Sequence, residues 1–206
     1  KLTIQLENIS KRFGFEWIFK KINFQFDANG KYAIVGPNGS GKSTLLKIIS
    51  GGATPTSGKV VYLYDDKTIA DETISTKDIA YAAPYISLIE DFTLSELYDF
   101  HTSFKSMKIN SKSEFMELSQ LGIHQQKYIK NFSSGMKQRL KLSLAFLTDS
   151  SVLLLDEPTS NFDTKAIDWY LNLINQYTQD RLVIIGSNQA YEYEFCAQKL
   201  AIQDYK

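Results

Sequence analysis

Gly36-Pro37-Asn38-Gly39-Ser40-Gly41-Lys42-Ser43 fits the pattern G-x-x-x-x-G-K-S/T, whose composition suits a phosphate cradle. The glycines let the backbone curl until successive N–H groups converge on phosphate oxygens, and a following helix adds its positive N-terminal end. Lys42 can reach the β- and γ-phosphates, and the Ser43 hydroxyl can hold Mg²⁺. Gly36, Pro37, Asn38, Gly39, Ser40, Gly41, Lys42, Ser43 and Thr44 are therefore the candidate nucleotide-binding set. A second constellation, Val152-Leu153-Leu154-Leu155-Asp156-Glu157, ends an apolar run in two acids. A buried strand of this kind delivers its last residues to the edge where open α/β sheets bind ligands. Asp156 is then the candidate metal holder, acting through water, and Glu157 the group that polarises an attacking water.

These residues need a scaffold, and the hydrophobic pattern supplies one. Leu2, Ile4 and Leu6 alternate with polar residues, as do Ile22, Phe24 and Phe26 before the turn Asn29-Gly30, so antiparallel strands with one wet face are expected. Residues 32–35 read as a buried strand, the glycine loop follows, and residues 43–50 have helical spacing before Gly51-Gly52. Short strands are expected at 59–64 and 79–83, separated by the polar stretch Asp65 to Asp78. Thr93-Leu94-Ser95-Glu96 and Ser111-Lys112-Ser113-Glu114 both fit the capping box that starts a helix. Met136, Leu140, Leu144 and Leu147 share one face of a helix over 134–147. Strand 152–155, helix 164–177 and a last strand 182–185 alternate as a parallel α/β sheet requires.

Two further segments complete the set. Asn131-Phe132-Ser133-Ser134-Gly135-Met136-Lys137-Gln138-Arg139-Leu140 lies between the two sites, and Pro158-Thr159-Ser160-Asn161-Phe162-Asp163 follows the second. Together with the phosphate loop they resemble the ATP-binding cassette (ABC) ATPases, in which a phosphate loop, a signature of the LSGGQ type, a DEPT box and a D-loop occur in this order. The resemblance covers nearly the whole chain. It implies an α/β fold, a P-loop NTPase (RecA-like) core with an antiparallel β subdomain and an inserted α-helical subdomain. Residues 1–85 and 141–206 would form the core, and 86–140 the helical insertion. It further implies ATP and Mg²⁺ as ligands, with Ser133, Ser134 and Gly135 facing the γ-phosphate bound by an opposite protomer. Asp163 matches the D-loop aspartate, and Phe13 the adenine-stacking aromatic, with Phe15 as its competitor. The partners implied are a second cassette, as a homodimer or a paired chain, and a separate polytopic membrane permease. The location implied is cytoplasmic and peripheral, on the inner face of the cell membrane.

The family pattern is broken twice. Where a glutamine is usual after Ile79-Ala80-Tyr81-Ala82-Ala83, this chain has Pro84, which offers no side-chain donor or acceptor. Where a histidine is usual after Ser187 it has Asn188, which can hydrogen-bond a γ-phosphate but does not titrate near neutrality. Lys42, Glu157 and Asn188 are thus the candidate catalytic residues, Ser43 and Asp156 the metal ones. Two readings follow: an ATPase that still turns over, or a slow, ATP-gated dimerisation switch. A soluble cassette without a transport partner stays open as a third. Residues 85–92 mix apolar and acidic side chains and suit either a docking surface for the permease or a buried loop edge.

Composition narrows the field. The chain has 206 residues, with 23 basic and 23 acidic side chains, which argues against a nucleic-acid backbone as partner. One cysteine, Cys196, fits a reducing compartment. No apolar run approaches the ~20 residues of a membrane-spanning helix.

Overall fold

The computed structural model describes residues 1–65, 67–69 and 78–206. The elements run β1 (Leu2–Phe13), β2 (Glu16–Phe26), β3 (Lys31–Val35), α1 (Lys42–Ile49), β4 (Ser57–Tyr64), β5 (Lys67–Ile69) and β6 (Ile79–Ala82). They continue with α2 (Leu94–Thr102), α3 (Lys112–Ser119), α4 (Ser134–Leu147), β7 (Val152–Asp156), α5 (Thr164–Tyr177), β8 (Leu182–Ser187), α6 (Ala190–Tyr193) and β9 (Gln198–Ala201). Most of the polar stretch read from Asp65 to Asp78 lies outside the described residues.

Two sheets result. The antiparallel one has the order β2-β1-β4-β5 and the parallel one β6-β7-β8-β3-β9. In β1 the inward residues are Leu2, Ile4 and Leu6, and then Ile9. The change of parity coincides with a register shift between Leu6 and Ile9, where Asn8 adopts φ 52°. Asparagine tolerates that left-handed conformation, and the extra residue of a bulge swaps which side chains face the core. Asn23 braces it, accepting the Asn8 N–H at 2.9 Å.

The parallel sheet is covered on both faces, which is why its strands read as continuous apolar runs. Ile34, Leu154 and Ile184 pack toward the antiparallel sheet and α1, whereas Leu153, Leu155, Val183 and Ile185 pack against α4 and α5. A third cluster joins Leu94, Leu97 and Phe115 of α2 and α3 to Leu140, Leu144 and Leu147 of α4. Leu142, Ala145 and Phe146 of the same helix belong to the sheet core. The expected division at 140/141 thus falls inside one continuous helix that serves both cores.

Arg181, 1% exposed, closes the far end of α4 and α5. Its guanidinium donates to the carbonyls of Phe146 (2.5 Å), Tyr177 (2.9 Å) and Thr148 (3.1 Å) and to the Ser150 hydroxyl (3.2 Å). Helix ends expose carbonyls with no intrahelical donor, and a fixed cationic fork suits them.

Two expectations need correction. The strand at 182–185 is not the last: β9 pairs in parallel with β3 at the sheet edge. Its four residues bury little beyond Leu200, too short a pattern for periodicity to register. The Thr93 capping box is complete, but at Ser111 only half of it forms. Ser111 accepts the Glu114 N–H, while the Glu114 carboxylate turns to the N–H of Asn110 at 2.9 Å.

Candidate functional site

β3 delivers the chain to Gly36 at the C-terminal edge of the parallel sheet, and α1 begins at Lys42. Gly41 precedes it at φ 110° and no side chain caps the helix, so its first N–H groups face the loop unopposed. A Cβ on Gly41 would lie 2.5 Å from Ile18 Cγ2, and one on Gly36 would lie 2.7 Å from Ser40 Oγ. Glycine is required at both by space. Lys42, 3% exposed, folds back so that Nζ donates to the carbonyls of Gly36 (2.9 Å) and Pro37 (3.0 Å). The buried Ser40 hydroxyl has no partner among the described residues. Lys206 braces the loop from outside, donating to the Ser40 carbonyl at 2.9 Å.

Asp156 ends β7 beside this loop and is 1% exposed. Neither of its oxygens makes a hydrogen bond of full geometry among the described residues. Burial pushes its carboxyl above the ordinary carboxylate range, while the Ser43 and Tyr85 hydroxyls and the Lys42 ammonium pull the other way. A buried, unpartnered carboxylate costs free energy unless something cationic or hydrated meets it. No three His, Cys, Asp or Glu side chains cluster to hold a metal among the described residues. A divalent ion here would draw its other oxygens from Ser43, water and a bound phosphate, the donor set that Mg²⁺ prefers. The residues fit such an ion.

Glu157 follows at φ 42°, a left-handed conformation unusual for its type. Its N–H donates to the Gly186 carbonyl at 2.9 Å, and the next carbonyl, Pro158, accepts from Gln138 Nε2 at 2.9 Å. Glu157, Asn38 and Asn188 line one cleft of about 190 Å³ with Thr159, Ser160, Gln189, Tyr191 and Glu192. Within it Asn188 Nδ2 donates to Asn38 Oδ1 at 2.9 Å, linking the end of β8 to the phosphate loop. The structure thus brings together Gly36 to Thr44, Asp156, Glu157 and Asn188.

The signature residues stand apart. Ser133 caps α4 by accepting the Met136 N–H at 3.2 Å, and Ser134 is exposed. A Cβ on Gly135 would meet only Asn161 O, at an ordinary 3.5 Å, so nothing among the described residues demands glycine there. Asp163 is exposed and caps α5, accepting the Ala166 N–H at 2.8 Å. Phe13 (58% exposed) and Phe15 (99% exposed) sit at the β1–β2 hairpin tip, beyond the Ile18 that touches Gly41. Lys11 Nζ lies 5.1 Å from the Phe13 ring centre, and Trp17 is flanked by Arg12 and Lys20.

At the broken position the Pro84 carbonyl accepts from Lys141 Nζ at 2.6 Å. The neighbouring Tyr85 hydroxyl hydrogen-bonds that of Tyr81, and Lys47 Nζ lies 4.0 Å over the Tyr85 ring. Sequence reasoning missed Tyr85 beside Asp156, and it missed Glu192. Tyr85 was findable as the next polar side chain after Pro84; Glu192 carries no motif. His101 lies outside the site, bonded to the Thr148 hydroxyl at 2.8 Å.

Comparison with known proteins gives a consistent picture. The family described as ABC transporter matches residues 19–160. The sulfate/thiosulfate import ATP-binding protein CysA of Nitrosomonas europaea is 33% identical over 173 residues, covering 80% of this chain and 47% of that protein. The lantibiotic transport ATP-binding protein SrtF of Streptococcus pyogenes is 28% identical over 194 residues, covering 90% of this chain and 79% of that protein. The chain spans about half the length of the CysA relatives it matches. Among solved structures, the dimeric post-hydrolysis state of the ATP-binding cassette MJ0796 bound to ADP and Pi superposes with a TM-score of 0.81. It is 23% identical and covers 97% of this chain and 94% of that one, which fixes the fold.

Proposed function

The chain belongs to the ABC transporter family, and from that premise we propose that it binds Mg-ATP, hydrolyses it within a head-to-tail pair of cassettes, and powers a separate polytopic membrane permease from the cytoplasmic face. The observation that carries the reading is the buried Asp156 carboxylate, whose oxygens lack a hydrogen bond of full geometry among the described residues, beside a phosphate loop whose lysine is parked on two backbone carbonyls. No described helix is long and apolar enough to cross a membrane, so a membrane pathway would come from another polypeptide or segment.

Binding begins as an exchange. Lys42 leaves the Gly36 and Pro37 carbonyls for the β- and γ-phosphates, and the N–H groups of the loop and of Ser43 and Thr44 close on the phosphate oxygens. Ser43 and Asp156 would hold Mg²⁺, which when bound would neutralise charge on those oxygens. Phe13 stacks on the adenine, with Phe15 as the competing ring, an interaction worth about 1–3 kcal/mol for a base on an aromatic face. Glu157 orients and polarises the attacking water, and Asn188 gives up Asn38 to donate to the γ-phosphate. Ser133, Ser134 and Gly135 at the N-terminus of α4 complete the site of the opposite cassette, with Asp163 at the shared interface. That no described residue constrains Gly135 supports this assignment, since the close approach would come from outside.

The test is phosphate release with Mg-ATP, alone and with a co-purified permease, beside size-exclusion chromatography of Glu157→Gln. Turnover by the wild type, and an ATP-dependent dimer that accumulates in the variant, are expected. No turnover under either condition would refute hydrolysis, and a monomer at saturating ATP would refute the paired site.

A further inference from the structure

Glu192 lies in α6, 2% exposed, and enters none of the contacts assigned above to nucleotide. Its carboxylate nevertheless gathers three donors. Oε1 accepts the Thr159 N–H at 2.8 Å and the Thr159 hydroxyl, and Oε2 accepts the Ser187 hydroxyl. The Ser187 oxygen in turn accepts the Gln189 N–H at 2.8 Å, and the Glu192 carbonyl accepts the Tyr170 hydroxyl at 2.9 Å, seating α6 on α5.

Position gives these bonds meaning. Thr159 stands two residues after Glu157, and Ser187 directly before Asn188. One carboxylate therefore ties the turn leaving β7 to the turn leaving β8. Between them Glu157 holds φ 42°, a conformation that persists only where its surroundings over-determine it. Four ties bracket it: Glu157 N–H to Gly186, Ser160 N–H to the Glu157 carbonyl, Gln138 to Pro158, and Thr159 to Glu192. Of these, the Glu192 tie alone also reaches the residue preceding Asn188.

We propose that Glu192 is a positioning residue for hydrolysis, holding Glu157 in its left-handed conformation and in register with Asn188 without touching the nucleotide. The inference rests on the ATPase reading. It makes the site's geometry depend on a residue about 30 positions downstream of the DEPT box. It also predicts a separation of effects: Lys42 and the backbone of the phosphate loop are held by contacts that do not involve Glu192, so ATP binding changes far less than turnover.

Glu192→Met removes all three acceptor bonds at similar volume. Glu192→Gln keeps one oxygen for Thr159 and presents an amide toward the Ser187 hydroxyl, which can turn to accept it. The expected result is a kcat about 30-fold lower for Glu192→Met, KM and Kd for ATP within about twofold of wild type, and a kcat within about threefold for Glu192→Gln. In the ATP-bound protein, amide hydrogen exchange at residues 157–160 should quicken in Glu192→Met, with residues 36–44 unchanged. A Kd that moves as much as kcat, or exchange at 157–160 equal to wild type, would overturn the proposal. If Glu192→Met does not fold, Ser187→Ala and Thr159→Val carry the test by the same readouts, and wild-type kcat in both would overturn it. If the wild type itself shows no turnover, the ATPase reading has failed, and the exchange at 157–160 alone decides the role of Glu192.

Discussion

Two glycines of the phosphate loop allow the cost of a single methyl group to be divided by cause. Gly41 has φ 110°, and a Cβ there would lie 2.5 Å from Ile18 Cγ2 and 3.2 Å from Phe19 Cδ1. Gly39 has φ 76°, with no described residue within 4 Å of the added atom. Gly39→Ala therefore meets only the left-handed penalty of an L-residue, about 1–2 kcal/mol. Gly41→Ala adds an overpacking term of about 1–3 kcal/mol, because Phe19 is fully buried and cannot retreat cheaply. The sums are about 1.5 kcal/mol for Gly39→Ala and about 3.5 kcal/mol for Gly41→Ala. Where the free loop relaxes away from the strain, ATP must restore it, so the cost appears in Kd at about 1.4 kcal/mol per tenfold. Where the loop cannot relax, the cost appears in the melting temperature. Isothermal titration with Mg-ATP, paired with thermal unfolding of the nucleotide-free protein, captures both shares. Gly41→Ala should exceed Gly39→Ala by about 2 kcal/mol in the total, equivalent to about 30-fold if all of it falls on Kd. Equal totals would show that Ile18 and Phe19 yield freely and that the loop is shaped by φ alone.

Restoring Pro84→Gln together with Asn188→His should raise turnover of the dimer at least about tenfold, since the first returns a polar side chain and the second a titratable one to a reaction governed by positioning and electrostatics. A change below about threefold in phosphate release would mean the site does not lack them. Arg181→Met leaves five helix-end and loop acceptors without their donor, and should cost about 3–5 kcal/mol, read as a fall of roughly 10 °C in the melting temperature. A loss under about 1 kcal/mol would show that water replaces the guanidinium. Burial pushes His101 down to about 4, with Lys105 adding to the effect. The unfolded chain then binds its proton first, so stability declines as pH falls from about 6.5 toward 4, and His101→Asn should flatten that decline in urea midpoints measured across the window. A decline as steep as in wild type would assign it to other groups.

The helices α4 and α5 were legible to the residue because their caps are written in the chain: Ser133 and Asp163 each accept an N–H three positions on. The buried strands were equally plain, as continuous apolar runs ending at Val35 and Asp156. What escaped was what depends on distant partners. β9 exists through its pairing with β3, and its own four residues carry almost no signal. The carboxylate of Glu114 chose Asn110 over the box partner that its spacing suggested. Of the candidate site, the phosphate loop, Asp156 and Glu157 could be singled out in the sequence because the chemistry proposed for them fixes their spacing. Tyr85 and Glu192 could not, since a tyrosine after a proline and an acid in a short helix mean nothing until folding sets them beside Asp156 and Thr159.

The continuity of α4 has a mechanical side. At about 1.5 Å per residue its 14 residues make a rod roughly 21 Å long. One end is clamped by the Arg181 guanidinium, and the other carries Ser134 and Gly135 at the surface. A rod amplifies angle into displacement: a tilt of about 5° about the Arg181 end would move the other end by about 2 Å, enough to break a hydrogen bond whose whole tolerance is a few tenths of an ångström. Side chains along its shaft reach the parallel sheet, so small rearrangements beneath bound phosphate would be geared up at the surface that, in the proposed pair, faces the second cassette.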